Sequence, residues 1–242
     1  MKIRIKFTKT GNMRFIGHLD LMRYFQKLMR RAKVDIRYSE GFSPHQIMSF
    51  ATAMGLGMTS EGEYVDIDVL STESSEVMIR RLNAASNGEI QILRYCQIPD
   101  DSKSAMSQIA AADYVVSFAG DMPKNPEWLK EKTAEFCAEE SIVLLKKTKK
   151  SEQEVDIRPM IYVFSEFEDG MSPEDGEYAR LFMRLATGSE QNLKPELVME
   201  AFFRFLGLEA PEETALKIHR TEIYGRRDGK TVPLSEYGWD IV

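Results

Sequence analysis

Strict alternation opens the chain: Lys2-Ile3-Arg4-Ile5-Lys6-Phe7. A period of two sets Ile3, Ile5 and Phe7 on one face and the cations on the other, so this segment reads as a strand with one buried face. A different period follows. Leu21, Phe25, Leu28, Met29 and Ala32 recur at helical spacing and predict a helix over 19–33, with Arg23, Lys27, Arg30 and Arg31 nearly opposite the apolar stripe. Residues 34–38 read as a strand, 39–45 as a turn-rich loop, 47–51 as a short strand and 54–58 as a flexible connection. Over 63–70, Val65, Ile67 and Val69 alternate against Tyr64, Asp66 and Asp68 as in a strand. Ser71 or Thr72 can cap a helix over 73–85, Gly88 can stop it, and 90–98 is a strand. If 34–38 and 47–51 are halves of one interrupted strand, the order is that of a split βαβ, ferredoxin-like unit.

The second half repeats this order loosely. Strands are expected over 114–118, 141–147, 155–164, 178–186 and 216–224, and helices over 127–138 and 195–206. Pro126 stands where helix starts tolerate proline. Asp228-Gly229 suits the turn of a final hairpin. The expected fold is therefore α+β: two tandem ferredoxin-like (split βαβ) units with a C-terminal β-hairpin. The domains are placed at 1–99 and 113–242, across a polar bridge over 100–112.

Hydrophobic residues make up 43% of the 242-residue chain and charged residues 29%, a balance that supports a sizeable core. Apolar stretches are short and broken by charges, and the first residues lack a signal-peptide block, so a cytoplasmic protein with no membrane partner is expected. Two distant cysteines, Cys96 and Cys137, argue against a disulfide framework. The net charge of −6 is uneven: residues 1–50 carry eleven Lys or Arg against three acids, and the remainder is strongly acidic. Such segregation favours an anionic partner at one face.

The cationic helix face is the strongest local signal. Arg23, Lys27, Arg30 and Arg31 can neutralise consecutive phosphates, with Lys2, Arg4, Lys6, Lys9, Arg14 and Arg37 nearby. A solvated face is the plainer alternative. Lys146-Lys147-Thr148-Lys149-Lys150 reads as a second contact or a solvated hairpin tip. Tyr38 and Phe42 offer rings on which a base can stack, although a loop Phe also commonly anchors its loop. His18 and His45, if they converge, supply a proton donor and acceptor for metal-independent phosphodiester cleavage, or with Asp20 a metal site; otherwise both are structural. Arg158, in Asp156-Ile157-Arg158-Pro159, reads as an anion contact or an ion-pair partner of Asp156. P-loop, dinucleotide, zincin, nucleophile-elbow and kinase patterns are absent, as is a three-cysteine cluster motif, so no cofactor is expected.

The run Phe7-Thr8-Lys9, Met13-Arg14-Phe15-Ile16-Gly17-His18-Leu19-Asp20-Leu21-Met22-Arg23, then Tyr38-Ser39-Glu40-Gly41-Phe42-Ser43-Pro44-His45 and Ser49-Phe50-Ala51, resembles the radical SAM-associated protein family. That family is a domain found beside, or fused to, radical SAM enzymes. Similarity continues through Gly55-Leu56-Gly57 and residues 61–66, with echoes at residues 156–159 and His219-Arg220-Thr221. The resemblance implies a separate radical SAM partner and an RNA-related role. Gly17 stands where a serine is expected in relatives, which withdraws a capping or catalytic hydroxyl. Architectural similarity to CRISPR repeat-processing endoribonucleases is a fold-level analogy only.

The leading expectation is an RNA-binding accessory protein that presents tRNA or rRNA to a radical SAM modification enzyme. The alternatives are an endoribonuclease using His18 and His45, and a protein-docking adaptor without RNA.

Overall fold

The computed structural model describes residues 1–118, 125–147, 152–167, 179–210, 212 and 215–242. In chain order the elements are β1 (Lys2–Lys9), α1 (His18–Arg31), β2 (Met48–Phe50), β3 (Thr59–Asp68), α2 (Ser75–Ala85), β4 (Ile92–Ile98), α3 (Ala105–Gln108), β5 (Ile109–Phe118), α4 (Pro126–Ala138), β6 (Val143–Lys147), β7 (Glu152–Asp156), β8 (Ile161–Glu166), β9 (Ala179–Ala186), α5 (Pro195–Phe205), β10 (Leu216–Arg227) and β11 (Lys230–Pro233). The protein is α+β, with a large sheet content and few helices. It forms two compact units: Met1–Ala110 with Arg220–Val242, and Ala111–His219.

In the first unit the strand order runs β4-β1-β3, and both β2 and residues 220–227 of β10 lie beside β3. β1 is antiparallel to both neighbours, with Ile5 opposite Val65 on one side and Tyr95 on the other. Its alternation buries Ile3, Ile5 and Phe7 completely. They pack with Leu21, Phe25, Leu28 and Met29 of α1, Met78 and Leu82 of α2, and Val65 and Ile67 of β3 in one core. Phe7, Phe25 and Phe50 meet at ring-centroid distances of 4.6–6.1 Å, in tilted and edge-on geometries favourable for aromatic pairs.

Residues 34–38 differ from the expected strand: they make only the isolated bridges Ile36 to Val69 and Tyr38 to Gln46. The cause is the end of α1. Lys33 adopts φ 51°, with Val34 N–H returning to the Met29 carbonyl and Lys33 N–H to that of Arg30. This six-to-one and five-to-two pair closes the helix and turns the chain before a ladder can begin.

The terminal hairpin also differs in place. Expected with the second half, β10 from Arg220 onward and β11 belong to the first unit. Gly62 permits the approach of β10, since a Cβ there would lie 2.6 Å from Glu222 Cα. The hairpin turn follows its residue types, with φ 53° at Asp228 and 75° at Gly229.

In the second unit β9 lies between β5 and β8, antiparallel to both. Phe136 of α4, Phe164 of β8 and Phe202 and Phe205 of α5 form an edge-on cluster. Asn125 caps α4, accepting from the N–H groups of Glu127 and Trp128. The strand expected over 155–164 is broken. β7 pairs with β6, a 3-10 turn occupies Arg158–Met160, and β8 then joins β9. Pro159 lacks the N–H a continuous ladder needs. The Asp156 carboxylate accepts from Ile142 N–H at 2.9 Å and Arg158 N–H at 3.0 Å. Those backbone amides, Arg158's first, hold its carboxyl below the usual carboxylate range.

Candidate nucleic-acid interface

Helix α1 buries one face and exposes the opposite one. Arg23, Lys27 and Arg30 are exposed and follow one another at i, i+4 and i+7, a stripe about 10 Å long at 1.5 Å per residue. Arg23 meets Asp20 at 3.1 Å, with both side chains largely in solvent. Exposed pairs of this kind hold weakly, leaving Arg23 available to a phosphate. Among the described residues neither Lys27 nor Arg30 has a side-chain partner. Arg37 is likewise exposed, its backbone fixed by Asp68 and Ile47. Arg14 is exposed, its guanidinium over the Phe15 ring at 4.6 Å. Arg31 is used differently: Nε donates to the Ala85 carbonyl at 3.0 Å and the guanidinium lies over Tyr24, tying α1 to the end of α2.

The loop beside this stripe is closed at its base. Tyr38 bridges to Gln46, Ser39 N–H donates to the His45 carbonyl, and His45 N–H donates to Ser39 Oγ at 3.1 Å. Gly41, at φ 109°, makes the turn that only glycine adopts freely. At the tip Phe42 is fully exposed, and Tyr38 is half exposed at the base. Phe42 therefore does not anchor the loop to the core.

The two histidines have separate partners. His18 is half-buried against the Phe50 ring, edge-on at 5.5 Å. His45 Nδ1 lies 2.8 Å from Ser39 Oγ. Among the described residues no group of three His, Cys, Asp or Glu side chains is placed to hold a metal ion. The α1 N-terminus starts at Gly17 with no side-chain cap.

Four cations counted with the basic face turn inward instead. Lys2 Nζ donates to the Ser102 carbonyl. Arg4, almost completely buried, forms a bidentate pair with Asp66 at 2.8 and 2.9 Å and reaches Gln108 and the Leu234 carbonyl. Lys6 pairs with Glu222 at 2.8 Å, and Tyr64 donates to the same carboxylate at 2.6 Å. Burial first, then the Glu222 charge, raises the Tyr64 pKa far above the ordinary tyrosine range. Lys9, 2% exposed, donates to the Ile16 carbonyl at 3.1 Å just ahead of α1. Burial lowers its pKa from the ordinary lysine value, against the pull of Glu63 and with the help of Arg220. Arg220 grips Glu63 with Nε at 2.8 Å and Nη2 at 2.6 and 2.7 Å, both side chains only 4% exposed.

Sequence reasoning did not single out Glu63 or Arg220 as a pair. The available signal was a charged residue at a strand position whose alternation points it inward, as Glu63 stands opposite Phe7. Arg158 acts as a clamp: Nε and Nη2 donate to the Cys137 carbonyl and Nη1 to that of Ile161. The tip of the lysine run over 146–150 lies outside the described residues. Cys96 and Cys137 are both free.

Residues 2–195 match the family described as "Uncharacterized protein conserved in bacteria (DUF2344)", and the chain belongs to that family. No curated protein matches it significantly. Among solved structures it is similar to a chain in "Crystal Structure of a Cbf5-Nop10-Gar1 Complex", at 10% identity and a TM-score of 0.47, covering 91% of this chain and 48% of that one. The chain thus spans about half the length of that solved chain. Among the described residues no helix is long and apolar enough to cross a membrane.

Proposed function

We propose that this protein is an RNA-binding accessory protein that holds tRNA or rRNA for a separate radical SAM modification enzyme. The observation that carries the RNA half is the unpaired stripe of Lys27 and Arg30, continued by Arg23 and set beside a loop that exposes Tyr38 and Phe42. Cations on a helix that carries exposed rings beside it suit a single strand: the charges meet phosphates and the rings stack bases. The radical SAM partner rests on the resemblance of the residue 7–51 motifs. For the first unit, the strand order β4-β1-β3-β2, with α1 and α2 in one core, supports the ferredoxin-like reading.

Purified protein incubated with total bacterial RNA at low salt is expected to retain tRNA or rRNA, and Lys27→Glu with Arg30→Glu to release it. No retained RNA overturns the reading. A protein-docking role has one observation in its favour: Phe15, Leu19 and Leu56 expose large apolar side chains, and Gly57 N–H bonds to the Arg14 carbonyl. In that case Leu19→Asp abolishes a protein complex and leaves RNA retention unchanged.

A further inference from the structure

We infer that Phe15 and Arg14, just ahead of α1, form a second stacking platform, which takes an unpaired base of the same RNA strand whose phosphates lie along α1. This rests on the RNA reading above and adds a second anchor to it, so that the substrate is single-stranded over several consecutive nucleotides.

Phe15 closes a 3-10 turn over Gly11–Phe15. Met13 of that turn faces the core, whereas Phe15 is 59% exposed. The turn is held from several sides. Met13 N–H donates to the Thr10 carbonyl at 3.1 Å, and Gly57 N–H to the Arg14 carbonyl at 2.9 Å. Asn12 N–H donates to the Glu89 carboxylate at 3.0 Å. An exposed ring on a fixed backbone is preorganised, so a ligand that covers it pays little for ordering. The exposed Arg14 guanidinium lies over the ring at 4.6 Å from its centroid. Among the described residues its N–H groups have no acceptor. A Cβ at Gly17 would meet nothing within 4 Å, so the space in front of the first turn of α1 is open.

Aromatic rings and guanidinium planes are the two surfaces on which unpaired bases stack. A base completes this stack from solvent, against the ring or against the guanidinium, and the free N–H groups of Arg14 meet an adjoining phosphate. The charge around the platform fits an anionic occupant: Arg23 is exposed, and Asp20, the acid beside it, already meets Arg23 at 3.1 Å. Leu19 and Leu56, each 67% exposed, extend the apolar surface, and Leu56 is set beside Arg14 by the bond from Gly57. The first platform lies further along the helix. Gln46 Nε2 bonds both the Gln26 carbonyl and the Tyr38 hydroxyl, which sets Tyr38 near Gln26. From His18 to Gln26 the helix rises about 12 Å. The two platforms therefore hold different bases of one strand, with Arg23 between them. Bases in a duplex already stack on one another, so only an unpaired segment presents the faces both platforms need.

The test uses the full chain and two RNAs of about 12 nucleotides, one of adenosines and one with the same ribose-phosphate backbone and no bases. In fluorescence anisotropy, Phe15→Ala is expected to weaken the adenosine RNA by about 5- to 150-fold, the range for one stacked base, and to leave the abasic RNA unchanged. Phe15→Trp is expected to retain the affinity. Adding Tyr38→Ala to Phe15→Ala is expected to multiply the two losses, as separate sites do. Unchanged affinity in Phe15→Ala, or an equal loss on both RNAs, overturns the platform and leaves the RNA reading standing. A double variant no weaker than either single one puts both rings on one base and overturns the second anchor. Failure of the adenosine RNA to bind the unaltered protein removes the RNA reading and this inference with it.

Discussion

Glu63→Gln is the sharpest probe of what holds the first unit together. Arg220 grips the Glu63 carboxylate, and the Lys9 ammonium lies close enough for its charge to be felt. Two cations thus share one anion, with Arg220 and Glu63 each 4% exposed and Lys9 2%. The neutral amide retains the shape and removes the negative charge that both buried cations face. Breaking a buried pair from one side costs about 3–5 kcal/mol. For a chain of this length that lowers the melting temperature by about 6–20 °C. The chain has two compact units, so global unfolding need not be two-state. Trp239 lies in the first unit and Trp128 in the second, so the assay follows Trp239 fluorescence during thermal unfolding in a Trp128→Phe background. Adding Lys9→Met to Glu63→Gln is expected to recover part of the loss by removing one of the two cations that faced the lost charge. A loss below about 1 kcal/mol, the scale of an exposed pair, refutes the reasoning.

Other outcomes follow from single sites. Lys33 holds a left-handed conformation at φ 51°, so Lys33→Gly is expected to stabilise the first unit by about 1 kcal/mol in urea denaturation. Burial pushes the Cys96 thiol up from 9.0 to about 11 and the Tyr95 hydroxyl up from 10.0 to about 12. Because the unfolded chain releases these protons first, stability falls from pH 9 to 11 through Cys96 and from pH 10 to 12 through Tyr95, by about 2–3 kcal/mol each when complete. Urea midpoints that stay flat over pH 9–12 contradict this. Arg158→Met removes the donors to the Cys137 and Ile161 carbonyls and is expected to cost the second unit about 1–3 kcal/mol, read by Trp128 fluorescence.

The elements that were legible in the sequence are those whose information is local. Alternation in Lys2–Lys9 and the 3.6-residue stripe of α1 each name a buried face directly, and Asp228-Gly229 names its turn by backbone preference. What was not legible depends on distant partners. Residues 155–164 look like one apolar-rich strand, yet Pro159 and the Asp156 carboxylate divide it between two pairings. The terminal hairpin carries no mark of which unit it joins; the fit of Gly62 beneath Glu222 decides that across 160 residues of sequence. The candidate site shows the same limit. Counting cations found α1 and the loop, but it also enrolled Lys2, Arg4, Lys6 and Lys9, which are engaged by Ser102, Asp66, Glu222 and Ile16. Charge count reports sign, and only packing reports which charges reach solvent.

The central claim is that Arg23, Lys27 and Arg30 bind phosphates. It is tested most directly by the salt dependence of single-stranded RNA binding, compared between the unaltered protein and the Arg23→Ala, Lys27→Ala, Arg30→Ala triple variant. Each phosphate neutralised on a single strand contributes a slope of roughly −0.7 to log K against log salt. Contacts by those three residues with Arg14 and Arg37 predict a slope of about −3.5, falling to about −1.4 in the variant. An unchanged slope, or no binding by the unaltered protein at low salt, contradicts the account.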